Sequence, residues 1–319
     1  MHPTLNVEEL ANGLKGRDFL GLVDYKPEEI RYLIDLAIDL KRKQKNGEIY
    51  QPLKGKTLGM IFEKSSTRTR VSFEVGMYQL GGHALFLSKN DIQMGRGETI
   101  RDTAMVMSRY LDGMIIRTFG HRNVVELARS ATVPVINALS DQSHPCQALA
   151  DYQTVFEKKG KLEGLKIAYI GDGNNMLHSL MIGASKLGMH FASASPEGYD
   201  PDTEQVRLAR EFANETGAKV DILRDPREAV ENADVIYTDV WASMGFEEEQ
   251  KERERAFKDY QVNEDLVKGA HSDYLFMHCL PAHRGEEVSE GVIDGRNSVI
   301  FDEAENRLHA QKAIMTAIM

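Results

Sequence analysis

The short apolar run Thr57-Leu58-Gly59-Met60-Ile61, together with the polar segment after it, constrains the fold more than any other stretch of the chain. The run reads as a buried strand, and Val71, Val75 and Tyr78, at i, i+4 and i+7, then read as one face of a helix. A buried strand running straight into a helix is the repeating unit of a parallel α/β sheet. Between the two lies Phe62-Glu63-Lys64-Ser65-Ser66-Thr67-Arg68-Thr69-Arg70, which puts hydroxyls and an arginine in the first helical turn. Serine and threonine cap helices. Arginine does not belong there on electrostatic grounds, because the positive end of the helix dipole favours acids. Free N–H groups, hydroxyls and guanidinium groups crowded together form a pocket for an anion, phosphate above all. Taken alone, the segment also fits a capped surface helix that happens to carry arginines.

The same alternation fills the chain. Pro27 to Lys45 reads as an amphipathic helix with Leu33, Leu36, Ala37 and Leu40 as its stripe. Strands are expected near 83–87, 114–117 and 133–137, with helices around Ile100 to Leu111 and 121–131. Arg117 ends the strand at 114–117, on the edge where open α/β sheets bind ligands; a surface arginine is the plainer alternative. Ser88 to Gly97 is a polar, glycine-bearing loop that contains Gln93. Asp141-Gln142-Ser143-His144-Pro145-Cys146-Gln147 leads into a helix to about Lys159. His144 and Gln147 there suit a neutral amide or carbonyl, and a capped helix with a structural histidine is the other reading.

With 319 residues, two domains are expected, divided at 150–162 near the polar run Lys158 to Gly164. The second half carries strands near 166–170, 190–194, 219–223, 234–238 and 274–277. Gly171-Asp172-Gly173-Asn174-Asn175-Met176 resembles the start of a dinucleotide fingerprint, but methionine stands at the third glycine. The turn is read as Rossmann-type without a nucleotide, with Asn175 at a helix N-terminus. Asp239 ends the strand at 234–238 and suits a ligand ammonium; a turn-forming aspartate is the alternative. Residues 247–258 read as a solvated helix with Glu249–Arg253 and Glu254–Lys258 pairs. A strand at 298–301 and a helix from 303 to 318 close the chain, the helix carrying Arg307.

A net charge of −10 argues against a general nucleic-acid or membrane-surface partner. Two cysteines, neither in a CxxC, fit a reducing cytoplasm rather than a disulfide framework. No basic and apolar leader opens the chain, and no apolar run approaches ~18 residues. His144, Cys146, His278, Cys279 and His283 are zinc-type ligands at spacings foreign to common sites, so no metal and no cofactor is expected.

Taken together, Ser66-Thr67-Arg68-Thr69-Arg70, His144-Pro145-Cys146-Gln147, Asp239 with Ser243-Met244-Gly245, and His278-Cys279-Leu280-Pro281 resemble the ornithine carbamoyltransferases. The resemblance covers essentially the whole chain. It implies two Rossmann-like α/β domains, each a mainly parallel sheet flanked by helices. Residues 1–150 would bind carbamoyl phosphate and 151–319 ornithine, with the helix at 303–318 packing back on the first domain. It implies a step of arginine biosynthesis, carbamoyl phosphate plus L-ornithine giving citrulline and phosphate, with carbamoyl phosphate binding first. Ser66, Thr67, Arg68 and Thr69 would hold the phosphate, with Gln93 closing over it from a neighbouring subunit. Arg117 would bridge phosphate and carbamoyl oxygen. His144, Pro145, Cys146, Gln147, the Cys279–Leu280 backbone and Arg307 would hold the carbamoyl group. Asn175, Asp239, Ser243 and Met244 match ornithine-binding positions, and Arg117, His144, Asp239 and Cys279 the catalytic set. A homotrimer with shared sites, or an assembly of trimers, is also implied. Competing readings are another amine acceptor on the same scaffold, a nucleotide-dependent oxidoreductase using Gly171 and Gly173, and a silent anion-binding scaffold.

Overall fold

The computed structural model describes residues 7–94, 97–242 and 249–319. The chain forms two units, Met1–Gln153 with Asn306–Met319, and Thr154–Glu305. The first unit contains α1 (Val7–Leu14), α2 (Pro27–Lys45), β1 (Thr57–Phe62), α3 (Thr67–Gln79), β2 (His83–Ser88), α4 (Ile100–Met107), β3 (Gly113–Arg117), α5 (His121–Ser130) and β4 (Val135–Leu139). α6 (Pro145–Lys159) leaves it. The second unit contains β5 (Lys166–Ile170), α7 (Asn175–Lys186), β6 (His190–Ala194), α8 (Thr203–Thr216), β7 (Val220–Leu223), α9 (Pro226–Val230), β8 (Val235–Thr238), α10 (Gln250–Phe257), β9 (Leu275–His278) and α11 (Glu290–Ile293). α12 (Ile300–Ile318) begins in the second unit and ends in the first.

Both sheets are parallel, as the alternation of short apolar runs and helices required. The first has strand order β2-β1-β3-β4 and the second β7-β6-β5-β8-β9. In each, the chain starts on an inner strand, builds outward on one side, then crosses to the other. The crossing leaves a switch point where loops from neighbouring strands part in opposite directions, the usual ligand position in such sheets. In the first unit it lies between β1 and β3, in the second between β5 and β8. Each sheet rests on its own core: Ile61, Met114, Ile116, Val124, Leu127 and Val135 in one, Ile170, Ile236, Val262, Phe276 and Val292 in the other.

Several local readings need correction. Val71, Val75 and Tyr78 do not form the buried face of α3: they are 51%, 37% and 78% exposed. The buried face is Thr69, Phe73, Gly76 and Met77. Gly76 belongs on it because a Cβ there would stand 3.1 Å from Met315 Cε and 3.2 Å from Lys312 Cγ of α12. Strand β4 starts at 135, not 133, since Pro134 has no N–H and only its carbonyl joins the ladder, accepting from Met114 N at 2.9 Å. The strand expected at 298–301 shrinks to one bridge, Ser298 to Phe276, and Ile300 already starts α12, whose first turn carries Asp302 and Glu303 as the dipole prefers. No helix among the described residues is long and apolar enough to cross a membrane.

The Gly171-Asp172-Gly173 turn has a packing explanation. A Cβ on Gly173 would lie 2.3 Å from Asp200 C and 2.3 Å from Pro201 N, both backbone atoms that cannot step aside. Met176, where a nucleotide fingerprint needs glycine, is buried. Gly173→Ala is therefore expected to destabilise the fold by at least ~2 kcal/mol. Gly13→Ala, whose Cβ meets nothing within 4 Å, is expected to leave stability unchanged or to raise it by up to ~1 kcal/mol within α1. Denaturant unfolding of the two variants beside the parent checks both.

Candidate active site

In the first unit, β1 and β3 deliver the start of α3 and Arg117 to the switch point. Ser66 caps α3, its Oγ accepting the Thr69 N–H at 3.2 Å. No acid occupies the first turn. The two arginines divide their work. Arg70 is tied to Glu74 at 3.0 Å and lies 3.7 Å from the Phe86 ring centroid. Arg68 is exposed and pairs with no side chain among the described residues. Arg117 is buried beside a register shift between Ile116 and Arg117, a bulge of the kind that re-aims a side chain.

Arg307 ties the remaining groups together. Its guanidinium donates to Gln147 Oε1 at 2.7 Å and to Thr69 Oγ1 at 3.2 Å, and Gln147 in turn donates to Asp151 at 2.8 Å. The guanidinium thus joins the first turn of α3 to the first turn of α6. His144 is buried just ahead of α6. Its burial, and then the positive charges of Arg307 and Arg117, hold its pKa well below the usual 6.5. At neutral pH the imidazole there carries no charge. Cys146 is buried; its Sγ donates to the Asn137 carbonyl at 3.5 Å, and burial pushes its pKa up to about 12. Pro145 opens α6. Gln93 is exposed and joins none of these groups.

In the second unit, β5 and β8 flank the switch point and Asp239 is its hub. Asp239 Oδ1 accepts from Val240 N at 2.8 Å and from the Cys279 thiol at 3.2 Å. Oδ2 accepts from Asn174 Nδ2 at 3.0 Å. Asn174, absent from the expected site, also caps α7: its Oδ1 accepts from Met176 N and Leu177 N at 2.9 and 3.1 Å. Asn175 opens that helix. The adjacent pair Asn174-Asn175 before an apolar helix was a readable signal, since the cap belongs one residue before the helix. Ser243 and Met244 lie outside the described residues. The 247–258 run is more than a solvated helix: Arg253 is buried, donating to Asp172 Oδ2 at 2.8 Å and the Trp241 carbonyl at 2.9 Å as well as to Glu249.

Beyond β9, the Cys279–Leu280 backbone is held from the side. Leu280 N donates to His278 Nδ1 at 2.9 Å, so the ring proton sits on Nε2, facing Glu287 Oε1 at 3.1 Å. Leu280 itself has φ +58°, left-handed for a residue with a side chain. The fold also gathers donors that linear spacing concealed. Asp239, His278 and Cys279 place ligand-type atoms within 4.8 Å of one another, as do His283, Glu286 and Glu287. In the first group both ring nitrogens of His278 are taken and the thiol is spent on Asp239.

This geometry meets a known family. Residues 17–157 match the carbamoyl-P binding domain of aspartate/ornithine carbamoyltransferase, and residues 163–318 its Asp/Orn binding domain. The chain is 63% identical over 319 residues to an ornithine carbamoyltransferase of Oceanobacillus iheyensis, covering 99% of each. The chain belongs to the aspartate/ornithine carbamoyltransferase family. A relative of the same description from Thermococcus kodakarensis is 59% identical, with 96% of this chain and 97% of that one covered. The solved ornithine carbamoyltransferase from Pyrococcus furiosus superposes with a TM-score of 0.94 at 58% identity, covering 96% of this chain and 98% of that one. Within this family fold, burial and then the charges of Arg307 and Arg117 restrain the protonation of His144.

That restraint has a pH signature. On unfolding, His144 regains its ordinary pKa of 6.5, so below that pH the unfolded chain binds a proton that the folded one refuses. Stability contributed by the neutral ring is present above pH 6.5 and is lost as pH falls through it. His144→Asn should lessen the pH dependence of unfolding free energy below pH 6.5 by up to ~1.4 kcal/mol per pH unit, measured by urea denaturation from pH 5 to 7.

Proposed function

We propose that this chain transfers the carbamoyl group of carbamoyl phosphate to the δ-amine of L-ornithine, giving citrulline and phosphate. The observation that carries the reading is a neutral, buried His144 in the fields of Arg307 and Arg117. Donors so arranged suit a carbonyl oxygen that gains charge during attack. The family's two domain descriptions support giving carbamoyl phosphate to the first unit and the amino acid to the second.

The chemistry assigns the remaining roles. The δ-nitrogen attacks the carbamoyl carbon, and the carbon–oxygen bond to phosphate breaks. Phosphate leaves with the electron pair, and the nitrogen gives up a proton. Ser66, Thr67, Arg68 and Thr69 receive the phosphate at the positive start of α3. Arg117 and His144 stabilise the carbonyl oxygen, while Gln147, Arg307 and the Cys279–Leu280 backbone orient the carbamoyl group. Asn175, Ser243 and Met244 take the amino-acid end of ornithine, and Asp239 with Cys279 the δ-amine. A free alkylamine has a pKa of ~10.4, and a desolvated pocket lowers the cost of removing its proton. Direct attack needs no covalent enzyme intermediate. Carbamoyl phosphate binds first and ornithine second.

The reading extends to assembly and setting. Val71, Val75 and Tyr78 leave an apolar stripe on α3 at the surface, and Leu85 of β2 is 39% exposed. Such a stripe suits contact with a second copy of the chain, and a homotrimer is the assembly we infer, with Gln93 reaching a neighbour's phosphate. The two free thiols, Cys146 and Cys279, agree with a cytoplasmic setting.

The test is product formation from carbamoyl phosphate with L-ornithine, putrescine, N-acetylornithine and L-aspartate in parallel, with and without EDTA. Citrulline from ornithine alone, indifferent to EDTA, is the expected result. Product from a different amine would overturn the choice of acceptor, and no product from any would overturn the reaction. Arg117→Ala is expected to lower kcat by about 10²- to 10³-fold, read in the same assay.

A further inference from the structure

α12 sends a carboxyl group into the second unit that the chemistry above does not use. Glu303 is 0% exposed. Its Oε2 accepts the backbone N–H of His278 at 2.9 Å, and its Oε1 accepts the Tyr237 hydroxyl at 3.1 Å. His278 is the last residue of β9, immediately before Cys279. Tyr237 is the penultimate residue of β8, two positions before Asp239. Glu303 therefore holds the C-terminal ends of both strands whose next residues meet in the Cys279–Asp239 contact.

The contacts close on themselves. Tyr237 stacks on Tyr169 with ring centroids 5.9 Å apart. The Tyr169 hydroxyl donates to Asn174 Oδ1 at 3.3 Å, Asn174 donates to Asp239, and Asp239 accepts from Cys279. From Cys279 the backbone returns to His278 and Glu303. Glu303 is the member of this ring that comes from α12. A β9 N–H at the sheet's end finds no next strand residue to pair with, so a buried acceptor must come from elsewhere. Without Glu303 that N–H would be buried with nothing to donate to, and the Tyr237 hydroxyl would lose its link to α12.

We propose that Glu303 is a positioning residue for the reaction: it fixes where β9 ends and so sets Cys279 against Asp239. The proposal rests on the assignment of the δ-amine to Asp239 and Cys279. Misplacing a reacting group by about an ångström reduces turnover by about 100-fold, and that is the scale expected when the anchor is cut.

The experiment compares Glu303→Ala, Glu303→Gln and Tyr237→Phe with the parent. Glutamine keeps both links, its carbonyl accepting from His278 N and its amide donating to the Tyr237 oxygen. Glu303→Gln should hold kcat within about threefold, whereas Glu303→Ala should lose about 100-fold. The dissociation constant for inorganic phosphate, bound by the other unit, should stay unchanged. Alkylation of Cys279 by iodoacetamide is the readout that a merely structural role would not move; Cys146, enclosed and with its pKa at about 12, does not compete. Its rate should change at least several-fold in Glu303→Ala and return to the parent value in Glu303→Gln. Where alanine prevents folding, Tyr237→Phe, which removes one link, decides the matter: an altered alkylation rate supports the anchor. A folded variant lacking the anchor that keeps the parent's alkylation rate overturns it. If the parent makes no citrulline, the proposed reaction fails, while the alkylation comparison still decides what Glu303 positions.

Discussion

Parallel strand pairing is the constraint on which the rest depends. Every strand of a parallel sheet ends on the same edge, so the loops beyond those ends are gathered there whatever their distance in sequence. Two such sheets, each with a switch point, account for which residues meet. In the first unit the loop after β1 carries the bare helix start and the end of β3 carries Arg117. In the second, the loop after β5 carries Asn174 and Asn175, and the end of β8 leads to Asp239. The helices then determine charge. α3 opens without an acid and offers its N–H groups outward, whereas α7 opens with Asn174 turned inward to share its cap with Asp239.

Much of this was legible in the chain. The alternation of apolar runs and amphipathic stretches gives β1 to β9 to within two residues, because a strand enclosed on both faces must be apolar throughout; the further strand read at 298–301 is an isolated bridge followed by α12. Ser66 was visible as a cap, and Arg68 and Arg117 because each contradicts what a solvated helix start or a buried strand would choose. Other features depend on partners far along the chain. Arg253 looks like one more charge in an exposed acidic run until Asp172 and the Trp241 carbonyl are set beside it. Val71, Val75 and Tyr78 have helical periodicity, but periodicity does not say which of two apolar stripes faces the core. Gly76, needed where α12 comes close, decided that for Phe73 and Met77.

The two units treat buried charge in opposite ways. In the first, Arg117 and Arg307 are buried near His144, which burial and then these two charges hold neutral. Such a field favours an incoming anion. In the second, carboxyl groups dominate: Asp239, Glu287 and Glu303 are all buried, and each accepts from backbone or side-chain donors. That environment favours a cation, as an alkylammonium is before it reacts. An acidic chain can thus hold a phosphate-bearing donor, because the global charge of −10 is overruled locally by a few guanidinium groups.

The most direct measurement is the affinity for inorganic phosphate of the parent and of Arg68→Ala, by titration calorimetry at fixed ionic strength. If the start of α3 receives the phosphate, the parent binds it in competition with carbamoyl phosphate. Losing one charge-assisted contact of about 1.5–3 kcal/mol then weakens binding about 10- to 150-fold. Equal affinity in the two proteins would contradict the assignment and place the anion elsewhere.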